Sequence, residues 1–145
     1  MLASHSIKVG MPVSLSGQFQ VQGRQALAGI RTWVESVNRA GGLLVADLQW
    51  HFPVSLVYYD DASSAETARR VTERLILQDR VDLLFGPYSS VLSLASAAVA
   101  EEYRQVLWNQ GGASDNIYRR GFRWVVGVLT PASEYLAGLP YLVRR

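Results

Sequence analysis

The chain has 145 residues, of which 49% are hydrophobic and 18% charged, and this balance is typical of a globular domain rather than a disordered segment. Fourteen basic and twelve acidic side chains leave a net charge of only +2, so we expect no nucleic-acid partner. The absence of cysteine excludes disulfides, thiolate catalysis and cysteine metal sites, and no apolar run reaches the roughly 18 residues that a membrane span needs.

The first half of the chain alternates a strand pattern with a helix pattern. An apolar run at residues 7–15 predicts a strand that is buried on both faces, and apolar residues then recur at helical spacing as far as Gly41–Gly42. We expect the two glycines to end this helix in a left-handed conformation. The sequence VSLVYYDD predicts the second strand, and residues 43–53 before it are expected to be a loop or a short edge piece.

The second half repeats this alternation. Ser63 with Glu66 three residues later is typical of a capping box and predicts the start of the second helix. VDLLFG then predicts the third strand, SVLSLASAAVAEEY the third helix, QVLWN the fourth strand and RWVVGV the fifth. The alternation predicts a doubly wound α/β fold, with a mainly parallel sheet of about five strands in the order 2-1-3-4-5 and helices on both faces.

The last residues of the chain, 131–145, have the apolar spacing of one more amphipathic helix. Its apolar side chains need a surface to cover them, and they are Tyr135, Leu136, Leu139, Leu142 and Val143. That surface could belong to this domain, to a second copy or to a further domain. Because soluble monomers rarely expose such a face, the segment also predicts a homodimer, or an exchange of the segment between two copies.

The ends of the predicted strands are the informative positions for function, because open parallel sheets bind ligands beyond the carboxyl ends of their strands. GPYSS follows the third strand and NQGGASDN the fourth. Ser89 or Ser90 at a helix start can add a hydroxyl to the N–H groups that attract an anion there, and Gly111–Ser114 offers further main-chain N–H groups. The simpler alternative is that these serines only cap their own helices.

Other kinds of site have no support in the sequence. Dinucleotide-binding and phosphate-binding glycine loops are absent, and so is the Gly-x-Ser-x-Gly motif of serine hydrolases. His5 and His51 lack metal-ligand spacing, and neither follows a predicted strand where a base would be needed beside a nucleophile. We therefore expect no catalytic residue, no metal and no cofactor, and an enzyme is the weakest alternative.

Five stretches occur in an order that is informative as a set. They are IKVGMPVSLSGQFQVQG, VNRAGG, VYYDDASSAETA, LILQDRVDLLFGPYSS and QGGASDNIYRRGFRWVV. This set resembles the bacterial branched-chain amino-acid-binding proteins, which are type I periplasmic binding proteins of ABC transporters. The resemblance implies two hinged lobes with the ligand between them, and residues 7–130 match the N-terminal ligand-binding lobe. It implies that residues 131–145 begin a hinge or second-lobe helix and stop short, while residues 1–6 are expected to be disordered or derived from cloning.

The resemblance also implies a function and a set of ligand-binding residues. Ser90 matches the binding serine of the family, Ala113 and Ser114 match its Ala-Thr pair, and Gln22 stands where many members carry an aromatic residue over the ligand. With their neighbours, the residues expected to bind ligand are Ser90, Ala113, Ser114, Ser89, Gly112, Gln22 and Tyr88. The implied function is a solute-binding lobe that recognises the carboxylate and amino end of a small amino acid or a related organic acid.

The implied partners are this small-molecule ligand and, through the full-length protein, the membrane permease of an ABC transporter. The implied location is periplasmic or extracellular. A branched-chain amino acid is the default ligand, while other amino acids, amides and aromatic acids stay open. The alternative function is a ligand-sensing ectodomain of a receptor or signalling protein, because this type of lobe also serves there.

Overall fold

A computed structural model of the chain describes residues 6–140. Its strands and helices, in chain order, are β1 (Ile7–Val13), α1 (Gln20–Arg39), β2 (Leu43–Val45), β3 (Trp50–Phe52), β4 (Val54–Asp60), α2 (Ala65–Leu77), β5 (Leu83–Phe85), α3 (Ser90–Glu102), β6 (Leu107–Asn109), α4 (Asp115–Tyr118) and β7 (Val125–Gly127). The main sheet has the order β4-β1-β5-β6-β7, and all of its strands pair in parallel. The predicted doubly wound fold and its 2-1-3-4-5 order are therefore confirmed.

Strand β1 lies near the middle of the sheet and is apolar on both sides of its pleat. It pairs along its whole length with β4, from Ile7 opposite Val54 to Val13 opposite Asp60, and Val9 lies opposite Leu83 of β5. A parallel strand that is covered on both faces needs such a continuous apolar sequence. Since β4, β1, β5 and β6 all run the same way, their carboxyl ends lie along one edge of the sheet.

The helices cover the two faces of the sheet unequally. Helices α2 and α3 pack on one face, whose buried core consists of Leu75, Val81, Leu84, Ala97, Ala100 and Leu107. Helix α1 packs on the opposite face, whose buried core consists of Met11, Val13 and Leu27. On this second face β6 and β7 have no helix over them among residues 6–140. Val126 there is 38% exposed and Val128 53% exposed.

The region between α1 and β4 is a small separate element. Strands β2 and β3 pair as an antiparallel hairpin around a 3₁₀ turn at Ala46–Leu48, and this hairpin is not part of the main sheet. The end of α1 follows the sequence prediction, because Gly41 and Gly42 both have a positive φ, of 101° and 103°. The N–H of Gly42 donates to the carbonyl of Val37 and closes the helix end.

The start of α2 differs from the prediction by one residue. Ser64, not Ser63, is the N-cap, and its hydroxyl accepts a hydrogen bond from the N–H of Thr67 over 3.4 Å. The capping box predicted from Ser63 and Glu66 is therefore wrong. Ser63 has a left-handed backbone with φ of 55°, and its hydroxyl contacts a different loop.

The segment after β7 begins with a 3₁₀ turn, Ala132–Glu134, and Leu139 and Pro140, the last described residues, are α-helical. Tyr135, Leu136 and Leu139 are exposed, so the described part of the chain does not cover them. Leu142 and Val143 lie outside the described residues, and so do residues 1–5. The predicted domain boundaries and the predicted dimer therefore stay predictions. No helix between residues 6 and 140 is long and apolar enough to cross a membrane.

Candidate functional site

An open cavity of about 460 Å³ lies at the carboxyl ends of β5 and β6. Its lining residues are Phe19, Tyr88, Ser89, Ser90, Gln110, Gly111, Ala113, Leu129 and Tyr135. The volume falls in the range typical of small-molecule sites, about 300–1,000 Å³. Four elements meet here, which are the loop before α1, the start of α3, the loop after β6 and the segment after β7. The two loops that the sequence singled out thus form one cavity.

Ser89 is the N-cap of α3 and has an unusual backbone. Its φ is 81° and its ψ is 144°, a combination that residues other than glycine rarely adopt. Its hydroxyl accepts a hydrogen bond from the N–H of Leu92 over 3.3 Å, and its own N–H donates to the carbonyl of Gly111 over 3.1 Å. The capping interpretation is therefore correct for this side chain, while its backbone is bent to reach the loop after β6.

Ser90 occupies the first position inside α3 and carries the more available hydroxyl. Its Oγ accepts a hydrogen bond from the N–H of Ser114 over 3.0 Å. The hydroxyl hydrogen is still free to be donated, because a serine can donate one bond while it accepts others. Within residues 6–140, the main-chain N–H groups of Ser90 and Val91 have no hydrogen-bond partner. Such unpaired N–H groups at the positive end of a 13-residue helix attract anions.

The loop after β6 faces this helix start at close range. A Cβ on Gly111 would lie only 2.4 Å from the carbonyl oxygen of Pro87, so only glycine lets the two loops approach this closely. The side-chain amide of Gln110 donates to the carbonyl of Gly86 over 2.8 Å. The N–H of Ala113 has no partner among the described residues, while its carbonyl accepts a hydrogen bond from the N–H of Ala132.

The remaining lining of the cavity includes four aromatic or apolar side chains, here called its aromatic wall, which are Phe19, Tyr88, Leu129 and Tyr135. The rings of Phe19 and Tyr88 meet edge to face, with their centroids 5.7 Å apart and their planes at 65°. Leu129 and Tyr135 complete this wall from the segment after β7. The cavity therefore has a polar floor of N–H groups and one hydroxyl, and an aromatic side that suits an apolar group.

Four of the seven predicted residues line the cavity, and three do not. Tyr88, Ser89, Ser90 and Ala113 are in the lining, while Gly112, Ser114 and Gln22 are outside it. The N–H of Gly112 is bonded to the side chain of Asn109 over 2.9 Å. The hydroxyl of Ser114 accepts from the N–H of Asn116 and caps α4. Gln22 lies in the first turn of α1, where its Oε1 is buried without a partner among the described residues.

Sequence reasoning missed three lining residues, which are Phe19, Gln110 and Leu129, and it assigned Tyr135 to a different role; Gly111 was part of the predicted anion-binding loop. Phe19 lies at the end of the loop after β1, and Gln110 and Gly111 lie in the loop after β6. All three residues follow the carboxyl end of a predicted parallel strand, and this position alone could have indicated that they lie near a ligand site. Leu129 and Tyr135 gave no such signal, because only the folded path of the segment after β7 brings them back to the cavity.

Among residues 6–140 no charged side chain lines the cavity, so the donors that these residues offer to an anion are neutral N–H and hydroxyl groups. Residues 6–140 contain no cluster of three or more histidine or acidic side chains that could hold a metal ion. An acidic pair, Asp60 and Asp61, lies at the carboxyl end of β4. These carboxylates bind the loop after β1 and the loop after β4 to each other.

The two carboxyl groups of this pair have opposite pKa shifts. Burial would raise the pKa of Asp60, but hydrogen bonds from the Ser16 hydroxyl and from the N–H groups of Ala62, Leu15 and Ser16 outweigh it and lower the pKa. Burial raises the pKa of Asp61, the neighbouring charge of Asp60 adds to this, and hydrogen bonds from Ser14 and Ser63 only partly offset it. Asp61 is fully buried, and its Oδ2 has no partner among the described residues.

Comparison with known protein families gives a match over almost the whole chain. The model of the family described as periplasmic binding protein matches residues 6–145. Among curated proteins, the Leu/Ile/Val-binding protein homolog 8 of Brucella abortus is 26% identical over 131 residues. That match covers 90% of this chain but 30% of the relative, so the chain spans less than a third of the relative's length.

Solved structures with the same fold come from transport systems. The branched-chain amino acid transporter substrate-binding protein LivJ of Streptococcus pneumoniae, in complex with isoleucine, is 24% identical with a TM-score of 0.78, and the match covers 92% of this chain and 38% of LivJ. A solute-binding protein of an R. palustris ABC transporter, in complex with benzoate, is 24% identical with a TM-score of 0.74, and the match covers 88% of this chain and 33% of that protein. At 24% identity, these structural similarities show that the chain shares its fold with the two proteins.

Proposed function

Because this chain belongs to the periplasmic binding protein family, we propose that its cavity is one half of a solute-binding site for a small carboxylate. The proposed ligand is an amino acid or a related organic acid, and its carboxylate binds between the start of α3 and the loop after β6. The observation that supports this proposal is a set of donors without partners among residues 6–140. The N–H groups of Ser90 and Ala113 and the hydroxyl of Ser90 belong to residues that line the cavity, and the N–H of Val91 follows next along α3.

These donors suit a carboxylate because they are fixed before the ligand arrives. The bond from Ser114 to the Ser90 hydroxyl holds the two loops together, so the ligand does not have to order them. A carboxylate has two oxygens with about four acceptor positions, which matches three N–H groups and one hydroxyl. Neutral donors at a helix start can bind an anion without a buried lysine or arginine, and neither residue type lines the cavity in the described part of the chain.

The aromatic wall favours ligands with an apolar body beside the carboxylate. Both isoleucine and benzoate, the ligands of the two solved relatives, have this shape. An amino group would find no carboxylate among the lining residues between 6 and 140, so its partners would be carbonyl groups of this lobe or residues of another lobe. We therefore propose that the carboxylate provides the common anchor and that the apolar body decides between ligands.

The relatives with this fold are solute-binding proteins rather than enzymes. We propose that this chain likewise acts by binding, as the lobe that first receives a solute in the periplasm. In the full-length protein a second lobe would close over the ligand, exclude water and strengthen its hydrogen bonds. The closed protein would then deliver the ligand to a membrane permease of an ABC transporter.

A ligand titration of the 145-residue chain tests this proposal. The panel consists of L-leucine, L-isoleucine and benzoate, and the matched controls are L-leucinamide and benzamide, which keep the apolar body but lack the carboxylate. Because half of the site is open to water, we expect dissociation constants of roughly millimolar size for the acids and at least about tenfold weaker binding of the amides. Equal binding of acids and amides would contradict the carboxylate anchor, and tight stoichiometric binding would contradict a half-site.

A further inference from the structure

The loop that carries Phe19 to the cavity is held by a second loop at residues 60–64. The hydroxyl of Ser63 is the link between them. It accepts a hydrogen bond from the N–H of Phe19 over 3.0 Å and donates one to the carbonyl of Ser16 over 2.7 Å. One side chain, 44 and 47 residues away in sequence, therefore fixes both ends of the turn at residues 16–19.

The backbone of the second loop is strained, which shows that its shape is imposed. Ala62 and Ser63 have φ values of 51° and 55°, although neither is glycine. Non-glycine residues keep such angles only where the surrounding structure determines them. Here the N–H of Ala62 donates to Asp60 Oδ1 and the N–H of Ser63 donates to Asp61 Oδ1, both over 2.8 Å.

The same two carboxylates also bind the loop after β1. Asp60 Oδ1 accepts from the N–H of Leu15 over 2.8 Å, and Asp61 Oδ1 accepts from the hydroxyl of Ser14 over 2.6 Å. Further along the same loop, Gly17 has a φ of 77°, and a Cβ on this residue would lie 2.8 Å from the carbonyl oxygen of Ala62. The two loops are therefore in close contact and leave little freedom for the turn that leads to Phe19.

Among residues 6–140, the hydroxyl of Ser63 is the one side-chain group that hydrogen-bonds to the main chain of Phe19. Phe19 is the N-cap residue of α1, yet its own side chain forms no capping bond. Its carbonyl accepts a hydrogen bond from the N–H of Gly23, and its N–H donates to the hydroxyl of Ser63, which joins this end of the turn to the loop at residues 60–64. A turn released from Ser63 would let the ring of Phe19 move away from Tyr88.

We propose that Ser63 is a positioning residue for the cavity: through the N–H of Phe19 it fixes the aromatic wall against Tyr88 and so sets the affinity for the apolar body of the ligand. Ser63 is outside the cavity lining, so its effect passes through Phe19. This inference rests on the proposed function, and it adds a distant loop to the determinants of ligand choice.

The test compares two probes and three variants of the 145-residue chain. Benzoate reports on the carboxylate anchor and the aromatic wall together, whereas acetate reports on the anchor alone. Ser63→Gly removes the hydroxyl and relaxes the strained φ, and Ser63→Ala removes the hydroxyl only. Ser64→Ala is the matched control, because Ser64 is the adjacent serine but caps α2 through Thr67.

For both Ser63 variants we expect benzoate binding to weaken by about five- to tenfold, because the N–H of Phe19 loses the acceptor that positions its ring, while acetate binding stays as in the wild type. Hydrogen exchange at the Phe19 amide should accelerate by a similar factor, and Ser64→Ala should change neither. Wild-type benzoate affinity and wild-type exchange at Phe19 in Ser63→Gly would overturn the proposal. Equal weakening of both probes would overturn it too, because it would indicate a general loosening of the site.

Failure of the proposed function has a different signature. A wild-type chain that binds neither acetate nor benzoate would contradict the carboxylate site itself, and the affinity part of this inference with it. The exchange rate of the Phe19 amide in Ser63→Gly needs no ligand and would then decide whether Ser63 positions Phe19.

Discussion

The main-chain N–H of Ser114 donates a hydrogen bond to the hydroxyl of Ser90 over 3.0 Å. This bond joins the loop after β6 to the start of α3, across the space where the parallel strands β5 and β6 end. It leaves the hydroxyl hydrogen of Ser90 and the N–H of Ala113 available on the side of the cavity. The remaining properties of the site depend on these two loops staying together.

Replacing Ser90 by alanine removes both functions of its hydroxyl. The N–H of Ser114 loses its acceptor, and a bound carboxylate loses a donor. We expect a loss of stability of about 1 kcal/mol and a decrease in benzoate affinity of about tenfold or more, since hydrogen bonds to charged groups are the stronger ones. Denaturant unfolding and an NMR titration measure the two effects. Unchanged benzoate affinity in a folded Ser90→Ala chain would argue against a ligand contact.

Ser89 and Ser64 form a matched pair of helix caps with different surroundings. Each accepts a hydrogen bond from the N–H three residues on, over 3.3 Å for Ser89 and 3.4 Å for Ser64. Alanine at either position should cost about 1 kcal/mol of stability. Glycine at 89 should cost less than alanine there, because φ is 81°. Unfolding midpoints of the variants check this order, and a Ser89→Gly chain less stable than Ser89→Ala would contradict it.

Gly111 and Gly29 allow a test of the close approach between the two loops. A Cβ at position 111 would lie 2.4 Å from the carbonyl oxygen of Pro87, whereas a Cβ at position 29 meets no atom within 4 Å. We expect Gly111→Ala to destabilise the chain by at least about 2 kcal/mol. Gly29→Ala lies inside α1 and should stabilise it by up to about 1 kcal/mol. Thermal unfolding of both variants gives the comparison, and equal stability of the two would show that the loops yield easily.

The buried carboxyl group of Asp61 predicts a dependence of stability on pH. Its pKa in the folded chain is raised above 3.8, so the folded state holds this proton more tightly than the unfolded state does. Stability therefore falls as the pH rises from about 3.8 through the raised folded pKa. Asp60 acts in the opposite sense, because its lowered pKa adds stability above 3.8 that is lost as the pH falls.

The substitution Asp61→Asn removes only the first of these effects. The stability of the variant relative to the wild type should therefore rise as the pH increases from about 4 to about 7. Urea unfolding at the two pH values measures the difference. A relative stability that is constant, or that falls toward neutral pH, would show that Asp61 does not titrate as the structure implies.

The sheet and the position of the site were predictable from sequence because both follow from local pattern and topology. Apolar runs between helical segments indicate parallel strands, and parallel strands bring their carboxyl ends to one edge. Ser89, Ser90 and Ala113 directly follow such strands, so their meeting in one cavity needed no long-range information. The end of α1 at Gly41 and Gly42 was predictable for the same reason, because it depends only on the residues that follow the helix.

The features that sequence did not predict depend on contacts between distant residues. Ser63 looked like a cap by its spacing to Glu66, but bonds to Phe19 and Ser16 place it in another conformation and leave the cap to Ser64. The amphipathic pattern after β7 predicted a helix that needs a covering surface, and the described residues start with a 3₁₀ turn and leave Tyr135, Leu136 and Leu139 exposed. A local pattern cannot show which long-range contacts a segment makes.

The most direct test of the carboxylate site is an amide-shift titration of the isotope-labelled chain with benzoate, with benzamide as the control. The account predicts that benzoate shifts the amide signals of Ser90, Val91 and Ala113 more than any others, and that benzamide leaves these three nearly unchanged. Benzoate-induced shifts that cluster elsewhere on the domain, with these three amides unaffected, would contradict it.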